Sequence, residues 1–287
     1  VKQRVRLRVP GSSANLGPGF DALGLALGIH DTLEVSRADR FDVVVSGEAA
    51  EEVPRDEGHL VLRAMRAAED RLGVRIGPVK LSCTNEIPHA RGLGSSAAAI
   101  VAGIAAVYGL LDRELDAEAL QLAAEFERHA DNVAASLFGG LQLTWERDGR
   151  YSGVGFATHP KVCPIALVPE LQSSTHATRG LLPETVPHAD AAFAAGRSAL
   201  VVHALTSAPE LLLEATADRL HQEYRKSAWP SSLDLLHDLR EQGIAATISG
   251  AGPTVLAFGE PPTGLVPEGF RAVPLAVDEH GVRVESE

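Results

Sequence analysis

The segment HARGLGSSAAAIVAGIAAVYG, residues 89–109, joins a flexible turn directly to an unbroken apolar run. Gly92, Gly94, Ser95 and Ser96 fill the turn, and from Ala97 onward nearly every residue is Ala, Ile or Val. A surface loop has no need of a buried helix welded to its end. A core helix has no need of so permissive a start. The combination suits a turn where a ligand must come close to the backbone. A helix N-terminus leaves backbone N–H groups without partners and carries partial positive charge. Glycines let a phosphate approach those groups, and Ser95 and Ser96 add hydroxyls for phosphate oxygen or a metal ion.

Other readings of this turn compete. A Walker loop needs Gly-Lys-Ser/Thr, and there is no lysine here. A dinucleotide fingerprint accepts Gly92, Gly94 and Ala97 but should follow a strand directly. Here residues 85–91, including Pro88, intervene. An ordinary helix cap is the third reading, and the turn alone does not dismiss it.

Outward from the turn, RVRLRV at the start alternates Arg with Val and Leu, the period of a half-buried strand. A loop dense in Gly, Ser, Asn and Pro follows, then an apolar stretch. DTLEVSRADRFDVVVSGE reads as two strands around a turn, and PVKLSCTNEIP as another strand. Helical spacing predicts helices over 58–72, 95–111 and 116–127, the last with Asp116 as N-cap. LFGGLQLTWER and KVCPIALVP read as strands, and 193–205, 208–220 and 233–242 as helices. Two strands flank a second glycine turn at Gly250, Ala251 and Gly252, and strands end the chain. Strands and helices mix without a regular βαβ period, so the fold class is α+β. A boundary falls near 158–161, dividing the chain into 1–158 and 159–287.

The 287 residues carry a net charge of −12 and are 45% hydrophobic. That charge argues against nucleic-acid binding, which needs basic stripes. An anionic ligand therefore needs a local basic pocket. Two cysteines, Cys83 and Cys163, cannot build a disulfide framework, and the eleven histidines show no metal-ligand spacing. The start, VKQRVRLRVPG, has no apolar signal core, and no apolar run reaches the roughly 20 residues of a membrane span. A reducing cytoplasm is the expected setting, with no membrane partner.

Three stretches in order, PGSSANLGPGFDALGLAL, IPHARGLGSSAAA and ISGAGPTVLAF, resemble the three motifs of the GHMP kinases, over nearly the whole chain. Within that superfamily, SSANLGPGFDALGLAL, ERHADNVAASLFGG, SSTHATRGLLP and DRLHQEYR resemble the homoserine kinases. The resemblance implies an N-terminal ATP-binding unit with a left-handed βαβ crossover and a ferredoxin-like C-terminal unit. It implies transfer of the ATP γ-phosphate to the hydroxyl of L-homoserine, a step toward threonine, with Mg2+ as cofactor and a homodimer as the assembly. A mevalonate-type kinase and an inactive nucleotide-binding regulator are the competing functions.

By the same resemblance, Pro88, His89, Ala90, Arg91, Gly92, Leu93, Gly94, Ser95, Ser96, Ala97 and Ala98 form the ATP phosphate loop. Asp21 is the partner of the substrate ammonium, and Arg179 and Arg225 bind its carboxylate, for which the arginine fork is suited. Asn15 lies near the substrate hydroxyl and also reads as an Asx-turn residue. His129 and Asn132 belong to the HxDN motif, with Asn132 and Arg179 read as catalytic. Related kinases carry Asp at the Asn132 position; an Asn cannot act as a carboxylate base, which leaves either no dedicated base or Asp131. Ser96 and Glu127 are the metal candidates, with Glu125 as alternative acid. Gly250, Ala251 and Gly252 face the site across the cleft. Arg128, Ala130 and Glu223 stand where the family usually has Gly, Pro and Pro. If the glycine is needed for positive φ, Arg128 is strained.

Overall fold

The computed structural model describes residues 2–172 and 178–286; residues 173–177 of the SSTHATRGLLP motif lie outside the described residues. The chain opens with β1 (Arg4–Ala14), whose alternation buries Val5, Leu7 and Val9 and turns Arg6 and Arg8 to solvent. After the SANLGPG loop, β2 (Leu23–Arg37) runs antiparallel along the length of β1. Next come β3 (Asp42–Gly47), α1 (Leu60–Leu72) and β4 (Val79–Asn85). β3 and β4 pair in parallel around α1, while β4 lies antiparallel on one end of β2. Its other end carries β5 (Leu141–Arg147), which forms a hairpin with β6 (Arg150–Phe156).

Between β4 and β5 run α2 (Ser95–Leu110), α3 (Ala117–Glu127) and α4 (Asp131–Phe138). Helix α2 is buried on nearly every side, as its all-round apolar sequence requires. It packs against α1, α3, α4 and β1. Asp116 caps α3 as expected, accepting from the N–H groups of Glu118 and Ala119. α4 is an element the sequence patterning did not reveal: Leu137 and Phe138, read as the start of a strand, end this helix instead.

The second sheet contains β7 (Ile165–Pro169), β8 (Ala246–Ile248), β9 (Val255–Ala257) and β10 (Phe270–Pro274), in the order β10-β7-β9-β8, all antiparallel. That is the ferredoxin-like order. α5 (His188–Thr206), α6 (Leu212–Ala215) and α7 (Pro230–Glu241) lie between β7 and β8. From β9 to β10 the connection is a loop, EPPTGLVPEG, whose prolines and glycines do not support a helix. α7 packs Leu233, Leu236 and Leu239 with Trp229 against Ile248 and Val255. The helix expected over 208–220 is a 3-10 turn followed by α6, which stops at Ala215. Thr216 turns its hydroxyl back to Leu212 O, and Asp218 accepts the next N–H groups, from Leu220, His221 and Gln222.

β11 (Arg283–Ser286) leaves the second sheet and pairs with β1. The approach to it is anchored by Asp278, which meets His30 Nε2 at 2.6 Å and Arg283 at 3.0 Å. No helix among the described residues is long and apolar enough to cross a membrane.

Candidate active site

The loop after β1, the start of α2, the α3–α4 corner and the β8–β9 loop converge on one cleft of about 320 Å3. At one end stands α2. Its N-cap is Gly94, in the left-handed region at φ 72°, and no side chain among the described residues caps the helix. A Cβ at Gly94 would collide with Ser12 Oγ, and one at Gly92 would collide with Ser249 O and Gly252 O. The loop is therefore wedged between β1 and the β8–β9 loop, with room for backbone only. Ser249 Oγ donates to Gly92 O at 2.6 Å.

The structure divides the phosphate-loop residues. His89, Ala90, Gly92, Gly94, Ser95 and Ser96 line the cleft. Leu93 and Ala97 are buried. Ala98 lines a second cavity of about 310 Å3, which shares His89, Ser95 and Ser96 with the cleft. Its walls include Asp31, His59, Leu60, Val61, Asn85 and Ile87, drawn from β2, α1, β4 and neighbouring turns. No periodicity in the sequence marks this cavity. Pro88 and Arg91 face a separate crevice beside β7 and β10.

Across the mouth of α2, Glu127 at the end of α3 accepts from Ser96 Oγ at 2.9 Å. Burial raises the Glu127 pKa, against the opposing pull of His129 and Ser96. Glu125, the alternative acid, points elsewhere: Arg71 and Gln121 hold it on the outer face of α3. The next residue, Arg128, takes φ 70°, the conformation the usual glycine supplies. That strain reverses the chain so that Glu127, His129, Asp131 and Asn132 all face the cleft.

Asp131 is buried and committed: its Oδ1 meets His129 Nδ1 at 2.9 Å and accepts the Asn132 N–H at 2.6 Å. Burial pulls the His129 pKa down, but Asp131, with Glu127 and Asp21, outweighs this and raises it. Ser12 Oγ donates to Asn132 Oδ1 at 2.9 Å. That bond fixes the amide so that its Nδ2 is the end left to donate.

The far end of the cleft is built from charge. Arg179 grips Asp21 in a two-point pair at 2.9 and 2.8 Å. Arg225 lies fully buried beside it, its Nη1 2.9 Å from His221 Nδ1 and its Nε 3.3 Å from Thr178 O. His221 Nε2 faces Gly17 O, which can only accept, so Nε2 carries the proton and Nδ1 accepts from Arg225. Burial, together with the Arg225 charge, lowers the His221 pKa and keeps it neutral. Burial and then the charge of Arg179 lower the Arg225 pKa to about 10, so it stays cationic at neutral pH. Both guanidinium groups lie 5.7 Å from the Phe20 ring centre. Phe20 and His221 are site residues that motif matching passed over. Asn15, at φ 71°, accepts the Asp21 N–H and donates to Gly250 O, so one amide ties the first loop to the β8–β9 loop. Gly250 and Ala251 line the cleft; Gly252 lies behind it, packed on Trp229.

A fold of two such sheets with an uncapped, glycine-led helix at their junction defines a class, and comparison with known proteins agrees. The GHMP kinase N-terminal domain model matches residues 59–140 and the GHMP kinase C-terminal model residues 197–265. The chain is 50% identical to a homoserine kinase of Streptomyces avermitilis, covering 98% of this chain and 95% of that one. It is also 50% identical to one of Rhodococcus erythropolis, covering 90% and 87%. A crystal structure of homoserine kinase from Cytophaga hutchinsonii superposes with a TM-score of 0.85 at 24% identity, covering 99% and 98%. Mevalonate diphosphate decarboxylase from Staphylococcus aureus shares the fold at a TM-score of 0.70 and 17% identity, covering 99% and 98%. The chain belongs to the GHMP kinases and, within them, to the homoserine kinase family.

Proposed function

We propose that the cleft holds the ATP phosphates at its α2 end and L-homoserine at its Asp21–Arg225 end, and that the chain transfers the γ-phosphate to the homoserine hydroxyl. The products are ADP and O-phospho-L-homoserine. The observation that carries this reading is one cleft with an uncapped helix N-terminus facing a fixed anion and two cations. The first suits phosphate; the second suits a zwitterion. Homoserine would exchange the internal pair for two external ones, its ammonium on Asp21 and its carboxylate on Arg179 and Arg225. A ligand carrying only one of those charges breaks the pair and leaves the other charge without a partner. Mevalonate lacks the ammonium.

The second cavity is the natural place for the nucleoside, because it meets the cleft at His89, Ser95 and Ser96. Ser96 and Glu127 present two hard oxygen donors at the same point, a donor set that fits Mg2+ held by one carboxylate and substrate phosphates. Mg2+ bound there supplies charge neutralisation at the phosphate oxygens. Asn132 donates from Nδ2 to the reacting oxygens, while Ser12 keeps that orientation. Asp131 holds His129 and the turn, leaving no free carboxylate as base. Phosphoryl transfer tolerates this, since its transition state is loose and catalysis rests on positioning and charge stabilisation. The hydroxyl proton passes to the phosphate or to water.

In this reading 1–158 supplies the phosphate end and Asp21 while 159–287 supplies Arg179 and Arg225, a division supported by the change of sheet between β6 and β7, with β11 returning to the first sheet. The free thiols of Cys83 and Cys163 suit a reducing cytoplasm. A homodimer is part of the proposal, supported by β6, which among the described residues pairs with β5 alone and carries the exposed Val154 near the exposed Trp145 of β5; sedimentation analysis tests it. An ADP-release assay with homoserine, mevalonate or no acceptor tests the activity. Homoserine alone should drive release. Release with mevalonate, or none with any acceptor, would sink the assignment.

A further inference from the structure

We propose that Arg91, although it sits inside the phosphate loop, binds no phosphate and is instead a positioning residue that ties the nucleotide end of the cleft to the amino-acid end. This rests on the kinase reading above. The guanidinium does not line the cleft; it lies in the crevice with Pro88, Glu170 and Arg271. All three of its nitrogens are used on main-chain carbonyls. Nε donates to Pro169 O at 2.9 Å, Nη1 to His89 O at 2.9 Å and Nη2 to Glu170 O at 3.1 Å.

Those acceptors are not equivalent. His89 is in the phosphate loop itself. Pro169 is the last residue of β7, and Glu170 follows it on the way to Arg179. β9 leaves β7 after Leu167, and Arg91 then takes the carbonyls at the strand end. The main chain of the same residue faces the other way, for Arg91 O accepts the Thr254 N–H of the β8–β9 loop at 3.2 Å. One residue thus fastens the phosphate loop to the end of β7 and to the β8–β9 loop. The fork matters more than the charge, because the partners are neutral carbonyls in three directions. A lysine offers one point of donation and cannot meet them together.

The consequence is mechanical. A phosphoryl donor and acceptor must meet within a few tenths of an ångström, and a misplacement of about 1 Å can cost about 10²-fold. Losing the strut should shift the Arg179 segment relative to α2 while leaving the helix N-terminus intact.

The test uses the full chain with Arg91→Ala and Arg91→Lys. It reads homoserine kcat and KM, the Kd for MgADP by calorimetry without amino acid, and the unfolding temperature. In Arg91→Ala, kcat/KM for homoserine should fall about tenfold to a hundredfold, shared between kcat and KM, as expected for misplacement. The MgADP Kd should stay within about threefold. Arg91→Lys should recover only a small part of the loss, because it restores charge without the fork. If Arg91→Ala does not fold, the lysine variant carries the same comparison. Loss of MgADP affinity in Arg91→Ala with rescue by lysine would make Arg91 a phosphate ligand and overturn the proposal. Unchanged homoserine kinetics in both variants would overturn it equally. Homoserine turnover by the unaltered chain is measured alongside. Its absence counts against the kinase reading, while the MgADP comparison still judges Arg91.

Discussion

The two ends of the cleft, as proposed, recognise charge by opposite means. At the α2 end, the work falls to main-chain N–H groups, and the side chains are notable for being small. At the Asp21 end, the work falls to three charged side chains steadied by Phe20, His221 and Asn15. A site made of backbone is damaged by adding atoms. A site made of side chains is damaged by removing them. The same molecule should therefore respond to mutation with opposite sign rules at the two ends of one cleft.

The severest break is addition at the backbone end. Gly94→Val places a branched side chain at φ 72° and drives it into Ser12. The conformational strain alone is about 1–3 kcal/mol, and the collision adds to it. Turnover should fall to background and calorimetric nucleotide binding should vanish. A folded Gly94→Val protein with normal nucleotide affinity would abolish the contrast.

Removal at the charged end comes second. Arg225→Ala takes away a buried cation that His221 and Thr178 orient, and truncating a buried partner of this kind costs about 2–5 kcal/mol. The homoserine KM should rise accordingly while nucleotide affinity holds. Arg179→Ala should act in the same direction but less, since Arg179 is partly exposed. Equal loss of nucleotide and amino-acid binding would show the two ends to be one unit.

A smaller effect is expected where the ends meet. General-base catalysis contributes about 10²–10⁴-fold, so Asp131→Asn should cost turnover less than about 10²-fold if no carboxylate takes the proton. Glu127→Gln should raise the magnesium concentration needed for half-maximal rate. A thousandfold loss in Asp131→Asn, with binding and metal dependence intact, would restore Asp131 as the base.

The smallest effect concerns Asp31, on the wall of the second cavity. Burial raises its pKa to about 6, although the N–H groups of Ile87 and Glu86 oppose the shift. The folded state therefore binds a proton more tightly than the unfolded state. Its contribution to stability is fully present below the usual carboxylate range and is lost as pH rises through about 6. Asp31→Asn keeps an oxygen for the two N–H groups, so its urea stability should lack that decline between about pH 4 and 6. A slope identical to the unaltered chain would count against it.

What could be read from sequence follows the same division. The backbone end was legible because glycine patterns are local: residues 92–98 announce their own geometry, and Arg128 in place of glycine correctly announced a positive φ. Charged partners were found only through motif resemblance, since Asp21, Arg179 and Arg225 lie far apart in the chain. Glu125 and Glu127 could not be separated, because only packing shows that Arg71 takes the first. α4 escaped notice since it is eight residues long and begins without a side-chain cap. The helix over 208–220 failed for a tertiary reason: the SANLGPG loop presses Gly17 onto Thr216 O, where a continuing helix would need that carbonyl. The apolar spacing there was real, but competition from another segment decided the outcome.

The pairing of β11 with β1 has a bearing on how the protein comes into being. Val5 and Leu7 leave the ribosome well before their partners Ser286 and Val284, which lie some 280 residues later in the sequence. Throughout synthesis the outer side of β1 is an open strand edge, able to recruit any extended neighbour. The first sheet cannot be finished before the strands of the second have been made. Synthesis of β11 is thus a checkpoint, and nascent fragments that stall short of residue 283 should be the species that chaperones hold and proteases clear.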